Sequence, residues 1–154
     1  MSARLDYFSV EPQLVKAMAG LSQKIAEAGL EHSLLELVKL RASQINGCAF
    51  CVDMHARDAR KAGETEQRLH LVAVWREASL FSPRERAALA WTEALTRVAD
   101  THAPDEDYAR LDEHFSDAEK VKLTLLIGVI NTWNRIAIGF RSVHPVKTLE
   151  RAAA

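Results

Sequence analysis

The dipeptide Asn46-Gly47 separates two helix-forming segments and constrains the fold more than any other feature of the chain. Before it, apolar residues recur at three-to-four spacing, which predicts an amphipathic helix over 31–46. Glycine enters the left-handed region of backbone space at little cost, so Asn46-Gly47 suits a helix end followed by a tight turn. Cys48 is then expected to open a new helix over 48–62. The two helices should form an antiparallel hairpin.

The remainder of the chain is also expected to be helical. The same apolar spacing predicts further helices over 11–29, 66–80, 83–98, 105–115 and 116–140. The strongest start signals are two Ser-x-x-Glu capping boxes, Ser82 to Glu85 and Ser116 to Glu119. No β alternation or repeat appears, and 154 residues suit one domain. We therefore expect a single-domain, all-α helical bundle over 1–154, with the tail after Pro145 ordered only by a partner.

Composition narrows the class of protein. Hydrophobic residues make up 48% of the chain and charged residues 27%, the balance of a soluble globular protein. The formal net charge of −1 provides no basic field for nucleic acid. No uninterrupted apolar run approaches the length of a membrane span, and the first residues lack the apolar core of a signal peptide. We expect a cytoplasmic protein without a nucleic-acid or membrane partner.

The two cysteines of the chain, Cys48 and Cys51, are spaced Cys-x-x-Cys, and His55 follows one helical turn later. On a helix these three residues occupy positions i, i+3 and i+7, so their side chains share one face. The N-terminus of a helix favours a thiolate over a thiol. In a reducing compartment this spacing indicates redox or metal chemistry rather than a structural disulfide.

Glu36 is the candidate partner for the histidine. It precedes Cys48 by twelve residues, and an antiparallel hairpin would place it roughly level with residue 58, within a turn of His55. A carboxylate beside an imidazole fixes the imidazole tautomer and raises its basicity. His55 reaches Cys51, four residues away, more easily than it reaches the first cysteine. The spacing predicts a relay of Glu36, His55 and Cys51, with Cys48 as the partner thiol.

Other interpretations of the Cys-x-x-Cys pair follow from the residues around it. Covalent haem attachment requires a histidine directly after the second cysteine, where this chain has Val52. Structural zinc usually takes a second pair of ligands, which the chain lacks. A metal site could still be assembled from Cys48, Cys51, His55 and Glu36. Two inert buried cysteines are the remaining alternative.

Some polar residues elsewhere have no assigned role. Asn131, Asn134 and Arg135 interrupt an otherwise apolar last helix. They could form plain surface, meet another subunit or line the site. Four further histidines are expected at the surface: His32, His70, His102 and His114.

The stretch ELVKLRASQINGCAFCVDMHARDARKAG resembles the alkylhydroperoxidase D-like branch of the carboxymuconolactone decarboxylase superfamily. The residues that carry the resemblance are Glu36, Ser43, Cys48, Cys51 and His55, and the similarity extends over about 30–140. It implies an all-helical homo-oligomer, with a hexamer favoured over a trimer for a single short domain. It implies no metal and no cofactor.

The resemblance also implies a function, that of a thiol peroxidase acting on alkyl or hydrogen peroxides. Cys51 matches the peroxidatic cysteine, which becomes a sulfenic acid, and Cys48 matches the proton-donating cysteine that resolves it as a disulfide. Glu36 and His55 match the proton relay. A dithiol, such as a lipoyl-bearing protein, would reduce the disulfide. General Cys-x-x-Cys chemistry would instead make the first cysteine the attacking one.

One residue departs from the pattern. Well-studied peroxidase members carry a histidine between the cysteines, where this chain has Phe50. An apolar ring replaces an imidazole that could assist proton transfer, and it could favour an organic hydroperoxide. Two alternatives to a peroxidase are a dithiol-exchange or redox-sensing oligomer and a metal-binding module.

Overall fold

The computed structural model describes residues 2–145, in which every secondary-structure element is helical. The helices are α1 (Tyr7–Val10), α2 (Pro12–Ala26), α3 (His32–Asn46), α4 (Ala49–Lys61), α5 (Glu66–Leu71), α6 (Pro83–Thr96), α7 (Val98–Thr101), α8 (Asp105–Asp112) and α9 (Asp117–Phe140), with a 3-10 turn at Val72–Val74. The prediction of an all-α fold is confirmed. The expectation for the tail after Pro145 concerns residues 146–154, which lie outside the described residues.

The predicted hairpin between α3 and α4 is present. Gly47 has φ 69° and ψ 30°, the left-handed conformation that ends α3. Its neighbour Cys48 is extended and forms the N-cap of α4. The backbone N–H of Cys48 donates to the carbonyl of Ser43 over 3.0 Å, which closes the turn. The sequence signal at Asn46-Gly47 therefore reverses the chain as predicted.

The bundle is built around α3, which packs against α4, α6 and α9. Its side chains Leu35, Leu37 and Val38 are at most 1% exposed. Leu89 on α6 and Leu123 on α9 are fully buried as well. Burying a leucine completely contributes about 1.5–3 kcal/mol. This core fixes the position of α3 and with it that of the α4 hairpin.

Both predicted capping boxes are confirmed. The Ser82 Oγ accepts from the backbone N–H of Glu85, and the Glu85 carboxylate accepts from the N–H of Ser82 over 2.8 Å. The pair Ser116 and Glu119 is arranged in the same way at the start of α9. These pairs satisfy N–H groups that the first turn of a helix leaves unbonded.

Helix α9 combines unusual length with an apolar composition. Its most apolar window has a mean hydropathy of 1.3, so by length and composition alone its 24 residues could cross a membrane. In the fold it packs against α2, α3 and α6 and contributes buried residues such as Leu123 and Ile127. Its buried residues belong to the core of the bundle, whereas Val121, Leu125 and Ile138 on the same helix are exposed.

The prediction of one helix over 66–80 is wrong. Helix α5 ends at Leu71, and a 3-10 turn followed by irregular turns replaces the rest. The guanidinium of Arg86, from α6, donates to backbone carbonyls in this segment, those of Trp75, Arg76 and Ala78. Arg68 binds the carbonyl of Leu80 in the same way. Because these carbonyls bond to arginines, they need no helical N–H partner.

Candidate active site

The α3–α4 hairpin brings Glu36 to His55. The Nδ1 atom of His55 lies 2.9 Å from Oε2 of Glu36, and both residues are buried. On α4, His55 and Cys51 are both buried one turn apart. The contact that the hairpin predicted is therefore present, while the catalytic roles of these residues stay a prediction.

Glu36 is held as a carboxylate. Burial disfavours its charged form, but hydrogen bonds from His55 and Lys39 outweigh that cost and lower the pKa of Glu36 to about 2. A carboxylate can only accept hydrogen bonds, so the Nδ1 of His55 must carry the proton. In the neutral ring, Nε2 is then the acceptor, the atom a base requires.

Lys39 belongs to this group and was not predicted from the sequence. Its Nζ lies 2.6 Å from Oε1 of Glu36, so each oxygen of the Glu36 carboxylate has its own cationic or imidazole partner. The signal in the sequence is the spacing of three residues on α3, which places Glu36 and Lys39 on neighbouring parts of one helix face. Exposed lysines at this spacing are common, so the pattern alone carries little information.

The two cysteines form no disulfide and are 1% and 2% exposed. Their pKa values are shifted in opposite directions. Hydrogen bonding from the Cys51 side chain, with further bonds from the backbone N–H groups of Cys51 and Phe50, lowers the pKa of Cys48 to about 7 despite burial. The same contact, together with burial, raises the pKa of Cys51 well above its usual range. Of the two sulfurs, Cys48, at the N-terminus of α4, is therefore the one whose thiolate is favoured.

A buried amide network supports the cysteine pair from α9. The Nδ2 of Asn46 donates to Oδ1 of Asn131 over 2.9 Å and to Oδ1 of Asn134 over 2.8 Å. The Nδ2 of Asn134 donates to Oγ of Ser43 over 3.0 Å, and the Asn134 amide acts to lower the pKa of both cysteines. Asn134 is fully buried beside the cysteine pair, so the interpretation as plain surface is wrong for this residue. Asn131 belongs to the same network through its hydrogen bond with Asn46.

We expect replacement of Asn134 by alanine to raise the pKa of Cys48 above about 7, because the amide stabilises the thiolate. Thiolate absorbance in the ultraviolet, followed across pH, measures this change. Thr132→Ala is the matched control on the same helix, since the Thr132 hydroxyl donates to the carbonyl of Gly128 and has no other hydrogen bond within residues 2–145. An unchanged titration of Cys48 in a folded Asn134→Ala variant would contradict the assignment.

A cavity of about 340 Å³ opens beside Cys51. Its lining is mostly apolar, with Phe50, Ile130 and Trp133 among its walls, while His55, Lys39 and Ser22 contribute polar groups. Among the described residues, Cys51 lines this cavity and Cys48 does not. A small molecule that enters the cavity therefore meets the sulfur of Cys51.

Other sequence expectations can be compared with the same structure. His32, His70 and His102 are exposed, as predicted. Within residues 2–145, no group of three or more His, Cys, Asp or Glu side chains is arranged to hold a metal ion. Both oxygens of Glu36 are already engaged by His55 and Lys39.

Comparison with known proteins identifies a matching family and a bacterial relative. The model of the carboxymuconolactone decarboxylase family matches residues 12–94. The protein YdfG of Bacillus subtilis, which has no assigned function, is 44% identical over 138 residues, 90% of this chain and 94% of that protein.

Solved structures extend the match to the whole fold. A protein of unknown function from Agrobacterium tumefaciens, ATU0492, named as a candidate AhpD antioxidant defence protein, is 51% identical. It superposes with a TM-score of 0.93 over 95% of this chain and 100% of that one. A peroxidase-related protein from Ralstonia eutropha, described as an alkylhydroperoxidase AhpD core, is 21% identical and shares the fold, with a TM-score of 0.79 over 90% of this chain and 74% of that chain.

Proposed function

Because this chain belongs to the carboxymuconolactone decarboxylase family, as an AhpD-like protein, we propose that it is a cofactor-free thiol peroxidase that reduces alkyl hydroperoxides or hydrogen peroxide. One observation carries the proposal: an apolar cavity ends at Cys51, next to the His55–Glu36 pair. This arrangement combines a reactive sulfur, a base and a space for substrate.

The first step is attack by Cys51. The cysteine pair loses one proton, which the Nε2 of His55 accepts, and the proton of Cys51 then moves to Cys48 along their hydrogen bond. The Cys51 thiolate attacks the terminal oxygen of the hydroperoxide and the O–O bond breaks. The alkoxide takes the proton of Cys48 and leaves as an alcohol, and Cys51 becomes a sulfenic acid.

The second step is resolution by Cys48. Having given up its proton, Cys48 is again a thiolate, the state that its lowered pKa favours. It attacks the sulfur of Cys51, the S–O bond breaks, and hydroxide leaves as water with the proton held by His55. The product is a disulfide between Cys48 and Cys51. An external dithiol, for which a lipoyl-bearing protein is our candidate, then restores both thiols.

We further propose a cytoplasmic homo-oligomer, with a hexamer as the favoured form. A reducing compartment would keep both thiols available for the next cycle. Support for assembly comes from apolar side chains that the single chain leaves exposed, including Leu14 at 70% and Val121 at 60%. Val15 and Ile25, on the same helix α2 as Leu14, are buried, so Leu14 lies on the outward face of that helix. Exposed apolar groups of this kind often mark subunit contacts.

Peroxide consumption by the pre-reduced protein tests the peroxidase. In stopped-flow experiments with hydrogen peroxide and cumene hydroperoxide, we expect fast consumption of one equivalent. Mass spectrometry should show the loss of two hydrogens as the Cys48–Cys51 disulfide forms. Slow consumption with both thiols intact would contradict the proposal. If the same protein exchanged rapidly with dithiols, a dithiol-exchange or redox-sensing role would replace it.

A further inference from the structure

We propose that the N-terminal strap, residues 4–10, forms a specificity wall through Tyr7 and Phe8, so that the cavity selects hydroperoxides with a bulky apolar group over hydrogen peroxide. This inference rests on the proposed peroxidase function and names the substrate that the site prefers. It assigns a role to a segment that precedes residues 12–94, the part matched by the family.

The cavity has two chemically different ends. Cys51, His55 and Lys39 provide the polar end, where the O–O bond would be cleaved. The remaining wall is apolar apart from the hydroxyl groups of Tyr7 and Ser22, and it comes from α1, α2, α4 and α9. A molecule the size of water occupies about 30 Å³ in the liquid, so hydrogen peroxide would leave most of the 340 Å³ unfilled. A hydroperoxide with an aromatic or branched substituent would place its oxygens at the polar end and its apolar group against the wall.

The strap is attached to the end of α9 rather than to the core. The backbone N–H of Arg4 donates to the carbonyl of Phe140 over 2.9 Å, and its guanidinium donates to the carbonyl of Gly139 over 3.0 Å. The hydroxyl of Tyr7 lies 3.3 Å from Oγ of Ser142.

Aromatic contacts complete this attachment. The Tyr7 ring lies 4.8 Å from that of Phe8 and 5.6 Å from that of Phe140, measured between centroids. None of the four residues of α1 is buried, and Phe8 is 53% exposed although it lines the cavity. Substitutions in the strap should therefore reshape the cavity without disturbing the core.

The test compares kcat/KM for cumene hydroperoxide and for hydrogen peroxide. We expect the wild-type protein to favour cumene hydroperoxide by about 10-fold or more. Phe8→Ala should reduce kcat/KM for cumene hydroperoxide by roughly 5- to 10-fold and leave that for hydrogen peroxide within about twofold, because only the apolar group touches the wall. Val10→Ala is the matched control, since Val10 lies on the same helix, is 63% exposed and is not among the described lining residues.

A binding measurement separates this inference from the peroxidase itself. Calorimetry with 2-phenyl-2-propanol, the unreactive alcohol that corresponds to cumene hydroperoxide, reports occupancy of the cavity without chemistry. Binding that Phe8→Ala weakens, in a protein that reduces neither peroxide, would overturn the peroxidase and support the specificity wall. Equal reduction of both peroxides, with no effect of Phe8→Ala on either rate or on alcohol binding, would overturn the wall and leave the peroxidase standing.

Discussion

Replacing Cys51 with serine is expected to abolish peroxide turnover, lowering kcat/KM by at least about 10³-fold. Serine has nearly the same size, but its hydroxyl does not ionise at neutral pH and cannot form a sulfenic acid. Cys51 is the cysteine that lines the cavity, so among the described residues no second thiol is placed to replace it there. Consumption of cumene hydroperoxide under single-turnover conditions measures the effect.

Cys48→Ser is the matched control for that experiment. Cys48 is not among the described residues that line the cavity, so its replacement should preserve the first turnover and block the second step. Cys51 should then accumulate as a sulfenic acid that a carbon nucleophile such as dimedone traps, and no disulfide should form. The opposite pattern, with first turnover lost in Cys48→Ser and kept in Cys51→Ser, would make Cys48 the attacking residue.

Glu36→Gln is expected to destabilise the protein at neutral pH by about 3 kcal/mol in the free energy of unfolding. The pKa of Glu36 falls from 4.5 in the unfolded chain to about 2 in the fold. A lowered pKa means that the stabilisation is fully present above roughly pH 5 and is lost as the pH falls through 4.5 towards 2. Urea unfolding at a series of pH values should therefore show a steeper loss of stability on acidification in the wild type than in Glu36→Gln.

Glu66→Gln provides the control for a change in charge alone. Glu66 pairs with Arg60 at the surface, where both side chains are about half exposed. Water screens an exposed pair of this kind, so this variant should unfold almost as the wild type does throughout the pH series. If Glu36→Gln and Glu66→Gln showed the same dependence of unfolding free energy on pH, the assignment of Glu36 as a buried carboxylate would be wrong.

Local signals in the sequence were sufficient to predict the α3–α4 hairpin and the contact between Glu36 and His55. The turn at Gly47 can be predicted from that residue by itself, because glycine adopts the left-handed conformation at little cost in free energy. Once the chain reverses there, helical geometry brings Glu36 and His55 together without information from distant parts of the fold. The positions of the capping boxes were local signals of the same kind.

Contacts between distant segments explain what the sequence did not predict. The segment after Leu71 is no longer α-helical, and the guanidinium of Arg86 donates hydrogen bonds to its backbone carbonyls. Asn134 reaches the cysteine pair across 83 or more residues of chain, which no local pattern encodes. The cavity beside Cys51 has the same origin, since its wall combines the first helices with the last one.

The depth of the two sulfurs limits the shape of any molecule that regenerates them. With 1% and 2% exposure, Cys48 and Cys51 lie below the reach of a thiol fixed on the convex surface of another folded protein. A slender, flexible arm that carries its dithiol at the tip could enter the cavity and reach Cys51, which lines it. The size and shape of a cellular reductant, more than its reduction potential, would then determine whether it can reduce the proposed Cys48–Cys51 disulfide.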